Sequence, residues 1–209
     1  MIENYEKLSD GSIKQIERKP FNYGYSYSDN YNSPVYIKNS LHISYLRYAY
    51  LLGSIRIPKI KSILDVGYGN GDFLRVCSNQ IDDCFGYDIS EYPLPETCQR
   101  ATSLFDRYYD VITFFDSLEH FPDISFVKDL QCEYVCVSLP WCHYFSDEWF
   151  NSWKHRKPDE HLWHFDINSL ILFMENNGFS YICHSNIEDQ IRQHSFDYSN
   201  ILTAIFKKI

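Results

Sequence analysis

No stretch of the 209-residue chain approaches the ~20 consecutive apolar residues of a membrane-spanning helix, so no membrane partner is expected. No signal-peptide pattern opens it, and the expectation is a cytoplasmic protein. Seven cysteines are present without a C-x-x-C pair, the spacing on which thiol-redox sites and many zinc sites depend. Cys84, Cys132, Cys136 and Cys183 lie inside apolar, strand-like runs and read as reduced core residues. Basic residues are outnumbered: 19 Lys and Arg against 28 Asp and Glu give a formal net charge of −9. Arg18-Lys19, Lys154-His155-Arg156-Lys157 and Lys207-Lys208 are the only basic knots, which weighs against a nucleic-acid backbone as partner. No repeat or low-complexity tract appears.

Aromatic residues, by contrast, make up 18% of the chain and include 18 tyrosines. They give apolar surfaces that still hydrogen-bond, which suits a ligand cleft and equally suits core packing. Apolar content of 44% and charged content of 22% describe a soluble globular chain. The length fits one α/β domain with additions.

The most informative stretch is Ser62 to Leu74, S-I-L-D-V-G-Y-G-N-G-D-F-L. Ile63, Leu64 and Val66 form a short buried-strand run, glycines follow at 67, 69 and 71, and Asp72, Phe73, Leu74 and Val76 continue with helical spacing. Strand, glycine turn and helix make a ligand-cradling shape, because the backbone must turn sharply and admit a ligand without a Cβ in the way. The spacing is one residue short of the dinucleotide fingerprint G-x-G-x-x-G, and no P-loop lysine follows.

L-D-V-G-x-G-x-G resembles motif I of the class I S-adenosylmethionine-dependent methyltransferases. Tyr68 departs from the small residue or cysteine common there. The resemblance implies a Rossmann-like α/β fold, with a seven-stranded, mostly parallel sheet closed by an antiparallel hairpin. It implies S-adenosylmethionine as cofactor, S-adenosylhomocysteine as product and a small-molecule acceptor. Asp65, Gly67, Tyr68, Gly69 and Gly71 are then cofactor-binding, and the helix from Gly71 to about Asn79 turns its N-terminus toward the cofactor carboxylate.

Cys84–Asp88 reads as the second strand. Asp88 lies about 20 residues past the glycines, where a carboxylate accepts the ribose hydroxyls, and Ile89 beside it joins the cofactor set. The family's next helix shrinks to Ile89–Glu96, interrupted by Pro93 and Pro95. Strand three falls near 97–102, which sets Ser103 and Leu104 at the adenine. Tyr109–Phe115 is the fourth strand, and Y-D-V-I-x-x-x-D-x-L-E-H resembles the family's element after it, which places Phe115 and Asp116 beside the cofactor. Glu133–Ser138 is strand five, Ile167–Asn177 a helix stopped by Gly178, and Phe179–Ser185 and Ile201–Lys207 the closing strands.

Around this domain, 59–209, residues 1–58 form an arm and a helix acting as lid. Residues 1–20 read as a loose arm or short helix, Ser40 to Gly53 as a helix, and Tyr23 and Tyr25 as lid residues on the substrate. An aromatic and histidine-rich insertion, 141–166, has the look of a substrate flap, with Trp141 and Trp163 as substrate contacts.

Methyl transfer to oxygen or nitrogen often needs a base, and histidine suits the task. His143 follows strand five; His161, in E-H-L-W-H-F-D, matches a placement seen in ubiquinone-type O-methyltransferases. These two are the candidate catalytic bases. A divalent metal is not expected, but Asp116, Glu119 and His120 share one face if the turn is helical. With His161 they resemble the acidic-x-x-E-H element of metal-using relatives. The reading is O-methylation of a small or sugar-like metabolite. N-methylation, metal-dependent 2′-O-methylation of RNA, and a non-catalytic cofactor- or partner-binding fold are the alternatives.

Overall fold

The computed structural model describes residues 2–22, 33–90, 92–192 and 197–209. Its first elements correct the loose-arm expectation: β1 (Tyr5–Lys7) and β2 (Ile13–Gln15) form an antiparallel hairpin. Asp10 Oδ1 closes the turn by accepting from the Ser12 amide and hydroxyl at 2.9 and 2.6 Å. Three-residue strands leave no periodic signature in sequence. They persist here because Ile2, Tyr5 and Ile13 bury themselves against Cys142, Phe150 and Trp153 of the insertion.

Helix α1 (Pro34–Ser54) starts six residues before the expected Ser40, because Ser33 caps it by accepting from the Tyr36 amide and Pro34 fits the first turn. Strand β3 (Ser62–Val66) follows, entirely buried. Its two-residue period splits it between two cores: Leu64 and Val66 face one, Ile63 the other. Asp65, two residues on from Ile63, therefore shares the face covered by α1. Helix α2 (Asp72–Cys77) is capped by Gly71 in the left-handed region, φ 75°, and is shorter than expected.

Strands β4 (Asp83–Tyr87), β5 (Gln99–Arg100), β6 (Tyr109–Phe115) and β7 (Cys132–Pro140) come next. Helix α3 (Asp147–Ser152) and β8 (Trp163–His164) lie in the insertion. Helix α4 (Ile167–Asn176), with a capping box of Asp166 and Ser169, precedes β9 (Phe179–Ser185) and β10 (Ile201–Lys208). Seven strands pair in the order β5-β4-β3-β6-β7-β10-β9, and β10 runs antiparallel to both neighbours. This is the Rossmann-like α/β sheet implied by the resemblance. The chain steps from β3 outward to β5, then returns to β6 on the other side of β3. A crevice opens at the carboxyl ends of β3 and β6, where order reverses.

A separate small sheet, β1-β2-β8, ties the hairpin to the insertion through the pairs Ile13↔His164 and Lys14↔Trp163. Among the described residues of 89–96 there is no helix at all. Tyr68 fills the place instead. Its hydroxyl donates to the Tyr92 carbonyl and meets the Arg100 guanidinium. A Cβ on Gly86 of β4 would come within 2.7 Å of Leu94, 2.8 Å of Tyr68 and 2.9 Å of Leu74, so this strand glycine admits the tyrosine. Among the described residues no helix is long and apolar enough to cross a membrane.

Candidate active site

The glycine turn after β3 is held from below. Gly67 N–H donates to the Tyr87 carbonyl at 2.7 Å, and Ser117 Oγ donates to the Val66 carbonyl at 2.6 Å. Gly67, Gly69 and Gly71 all have positive φ, at 78°, 55° and 75°. A side chain at Gly67 would also stand 2.6 Å from Ser117 Cβ. Asp88, just past β4, accepts from the Gly69 amide at 3.0 Å and from the Ser90 amide at 2.7 Å. The turn and the strand-two acid are thus one hydrogen-bonded unit.

Two cavities meet over this unit. One, about 440 Å³, is lined by Gly67, Asp88, Ile89, Ser117, Phe121 and the arm residue Phe21, among others. The second, about 500 Å³, extends over Gly69, Asn70, Asp65 and Phe115 to His155, Lys157 and His161. Gly67, Asp116 and His120 belong to both. Tyr68 lines the second, while its hydroxyl is spent on the 89–98 segment.

Asp65 is buried at 3% exposure, and its Oδ1 accepts from Thr113 Oγ1 at 2.7 Å. Burial pushes its carboxyl up to about 7, against the weaker opposing effects of the Thr113 bond and the Arg47 charge. Asp116 has an unusual backbone, φ 53°, and its carboxylate sits between two arginines. Arg47 Nη2 donates to Oδ2 at 2.7 Å, and Arg192 Nη2 to the same oxygen at 2.5 Å. Burial alone would raise the Asp116 carboxyl, but Arg192 and Arg47 outweigh it and hold it below the usual range. Both arginines also meet the wholly buried Glu188, at 2.8 Å from Arg47 Nε and 2.9 Å from Arg192 Nε.

This arrangement removes Asp116 from the expected metal-ligand set. Leu118–His120 is a three-residue 3₁₀ turn rather than an α-helical one, and Asp116 enters it in the left-handed region, so its carboxylate turns to the arginines. The other three expected ligands do converge: Glu119, His120 and His161 place ligand atoms within 4.8 Å of one another. The Leu162 amide donates to the Glu119 carbonyl at 2.8 Å, and that bond seats the neighbouring His161 beside the turn.

His161 lines the second cavity, with its Nδ1–H donating to the His155 carbonyl at 2.9 Å. Burial, followed by the charges of His120 and Lys157, lowers its imidazole to about 3, so the ring is neutral at physiological pH. His143, the other expected base, lines neither cavity. The Trp141 amide donates to the Asn200 carbonyl. His143 stacks against Trp141 and Phe145 and bonds the Ser199 carbonyl.

The structure also places other expected contacts outside the two cavities. Trp141 stacks on His143. Trp163 is a core residue whose indole N–H donates to the Phe121 carbonyl at 2.9 Å. Leu104 is buried in the core, and the Ser103 hydroxyl accepts from the Phe105 amide. Tyr23 and Tyr25 lie outside the described residues.

Sequence reasoning missed Arg47, Glu188, Arg192, Ser117, His155 and Lys157. Arg47 alone carried a signal, as the one charge in the helical run from Ser40 to Gly53.

Residues 46–184 match the methyltransferase domain family Methyltransf_23. No curated protein sequence matches the chain. Among solved structures, the magnesium protoporphyrin IX methyltransferase of Synechocystis PCC 6803 is 14% identical. It superposes with a TM-score of 0.58 over 92% of this chain and 90% of its own. The 1,6-didemethyltoxoflavin-N1-methyltransferase of Burkholderia thailandensis is 12% identical, with a TM-score of 0.60 over 98% and 99%. A Haloferax volcanii chain solved with the Trm112 methyltransferase activator is 11% identical, with a TM-score of 0.61 over 86% and 96%. At such identities the superpositions speak for the fold. The match over residues 46–184 covers more than half of the sequence, and the chain belongs to the Methyltransf_23 family of methyltransferase domains.

Proposed function

We propose that this protein transfers a methyl group from S-adenosylmethionine to an oxygen of a small metabolite, in the manner of the small-molecule O-methyltransferases. The observation that carries the reading is the pair of cavities meeting at Gly67, Asp116 and His120, with Asp88 at one end and His161 at the other. The residues present fit the cofactor. Asp88 is prepaid in orientation by the Gly69 and Ser90 amides and would hold the ribose hydroxyls, with Ile89 and Phe121 as apolar walls for the base. Gly67 and Gly69 leave room for the methionine part, which would run toward Asp65, Asn70 and Phe115. Bound there, the cofactor supplies a methyl on an electrophilic sulfonium.

The protein's share is alignment and proton handling. His161 is neutral and can accept a proton, but its environment makes it a weak base. The acceptor hydroxyl must therefore be acidic in its own right or be acidified where it binds. His143, which lines neither cavity, takes no part in this reading. Asp116 would shape the waist between the cavities, fixed there by Arg47 and Arg192.

The test is a thermal melt with and without S-adenosylhomocysteine. At a hundredfold excess over its dissociation constant the ligand should stabilise by about 2.7 kcal/mol, roughly 5–10 °C for a chain this long. Asp88→Ala should abolish the shift while the unliganded protein stays folded. No shift in the unaltered protein would overturn the cofactor assignment. Unchanged turnover by His161→Ala would remove His161 from the role of base, and no turnover of any acceptor by the unaltered protein would favour a binding fold without catalysis.

A further inference from the structure

Glu119 presents an electrostatic problem that the hydrogen bonds of the protein do not solve. It is 1% exposed, and among the described residues neither carboxylate oxygen has a hydrogen-bond partner. A buried polar group left so costs on the order of 1–3 kcal/mol, and more when charged. Beside it stand two imidazoles with their tautomers already fixed. His120 Nδ1 bonds the Glu160 carbonyl at 2.8 Å and His161 Nδ1 the His155 carbonyl at 2.9 Å. A carbonyl only accepts, so each Nδ1 carries the hydrogen and each Nε2 carries the lone pair. The two rings lie 4.8 Å apart, nearly perpendicular at 82°.

We propose that Glu119, His120 and His161 form a binding site for a divalent first-row transition-metal cation, facing the second cavity. Metal-ligating histidines characteristically donate their other ring N–H to a carbonyl or carboxylate, which is the arrangement both rings show. Two neutral imidazoles and one carboxylate suit manganese, iron, cobalt or zinc, and suit magnesium and calcium poorly, because those ions prefer all-oxygen shells. The ligand atoms lie within 4.8 Å of one another. About a cation with bonds of roughly 2.1 Å they would stand about 3–3.5 Å apart. Side-chain rotations closing the widest gap by up to about 1.8 Å complete the site. Three protein ligands leave coordination positions open, and His120 and His161 both line the cavity, so the open positions give onto it. Asp116, the fourth ligand expected from sequence, is held by Arg47 and Arg192 and stays out. The cation would neutralise Glu119 and present a Lewis acid to an oxygen ligand in the open positions, and with its Nε2 on the cation His161 would then serve as a ligand and not as a base.

The experiment is a manganese titration of the chelator-stripped protein, followed by electron paramagnetic resonance of the unbound ion. One Mn²⁺ per chain is expected. Glu119→Gln, which keeps the side-chain volume, and His161→Ala should each weaken binding at least tenfold. His42→Ala, an exposed histidine on α1, should leave it unchanged. Zinc and cobalt should compete with manganese, and magnesium should not. If Glu119→Gln fails to fold, the d–d spectrum of the Co²⁺-loaded unaltered protein decides, since nitrogen ligation shifts it from that of the aquo ion. Absence of binding by the unaltered protein, or binding that both variants retain, overturns the site. The S-adenosylhomocysteine melt, repeated on the same samples, separates the readings: a cofactor shift without metal binding leaves the methyltransferase assignment standing and removes this one.

Discussion

Arg47→Met puts the buried charge cluster to the test. Methionine keeps an unbranched, helix-compatible stem on α1, so the perturbation is chiefly the loss of the guanidinium. The Arg47 side chain is 11% exposed and Glu188, which it meets at 2.8 and 3.0 Å, is fully buried. Removing one partner of a buried pair costs about 3–5 kcal/mol, because the other charge stays behind without compensation. Here Glu188 keeps the Ser138 hydroxyl at 2.5 Å and the Arg192 guanidinium at 2.9 Å, and Asp116 keeps Arg192 at 2.5 Å. The residual partners place the expected loss at the lower end, about 3 kcal/mol. For a chain of this length that lowers the melting temperature by roughly 6–12 °C. Asp116 lines both cavities, so S-adenosylhomocysteine should also bind less tightly. The double variant Arg47→Met/Glu188→Gln should recover at least about 1 kcal/mol of the loss, since no charge is then stranded. Urea unfolding of the four members of the cycle gives the numbers. A single-variant cost below 1 kcal/mol, or a double variant less stable than the single, would show that the cluster is solvated and would refute the reasoning.

Two further outcomes follow from the same region. The Asp65 carboxyl is raised to about 7 when folded, against an ordinary value near 3.8, so its contribution to stability is fully present below about pH 4 and is lost as pH rises to 7. The span corresponds to about 4 kcal/mol. Asp65→Asn should therefore gain on the unaltered protein by that order between pH 4 and pH 7 in denaturant titrations, and a flat difference would contradict the buried placement. Gly86→Ala should destabilise by about 1–3 kcal/mol through overpacking against Tyr68, Leu94 and Leu74. Combining it with Tyr68→Leu should cost less than the sum of the two single changes if Tyr68 occupies the space of the missing helix.

Local chemistry decided what could be read from the sequence. The β3 run, the glycine turn, Asp88 and the closing strands are short-range patterns whose residues meet their neighbours in the chain, and each appears where spacing put it. Gly178 stops α4 with φ 82°, as a glycine after a helix should. The N-terminal hairpin was not legible, because its strands are held by the insertion, through the Phe150 and Trp153 cluster and through β8 about 150 residues away. His143 and His161 could not be told apart for a related reason. Both lie in the aromatic stretch after β7, and the bond from the Leu162 amide to the Glu119 carbonyl carries one of them to the cavity. Arg47 and Arg192 come from opposite ends of the chain to one carboxylate, a convergence that no spacing rule encodes.

Net charge and site charge also need separate treatment. The formal charge of −9 disfavours a nucleic-acid partner only on average, and the second cavity carries Lys157, Arg192 and His155 despite it. What matters is how those groups are committed. Lys157 Nζ is bonded to Glu160 at 2.9 Å, Arg192 to Asp116 and Glu188, and His155 Nε2 to Asn200 at 2.8 Å. Recognition of a phosphate backbone works by releasing counterions from the nucleic acid through cations offered at the surface. Cations already paired with the protein's own carboxylates have little to offer in that exchange. The two arginines therefore serve to fix Asp116 and Glu188 in place, and the basicity of the cavity is no sign of a polyanion site.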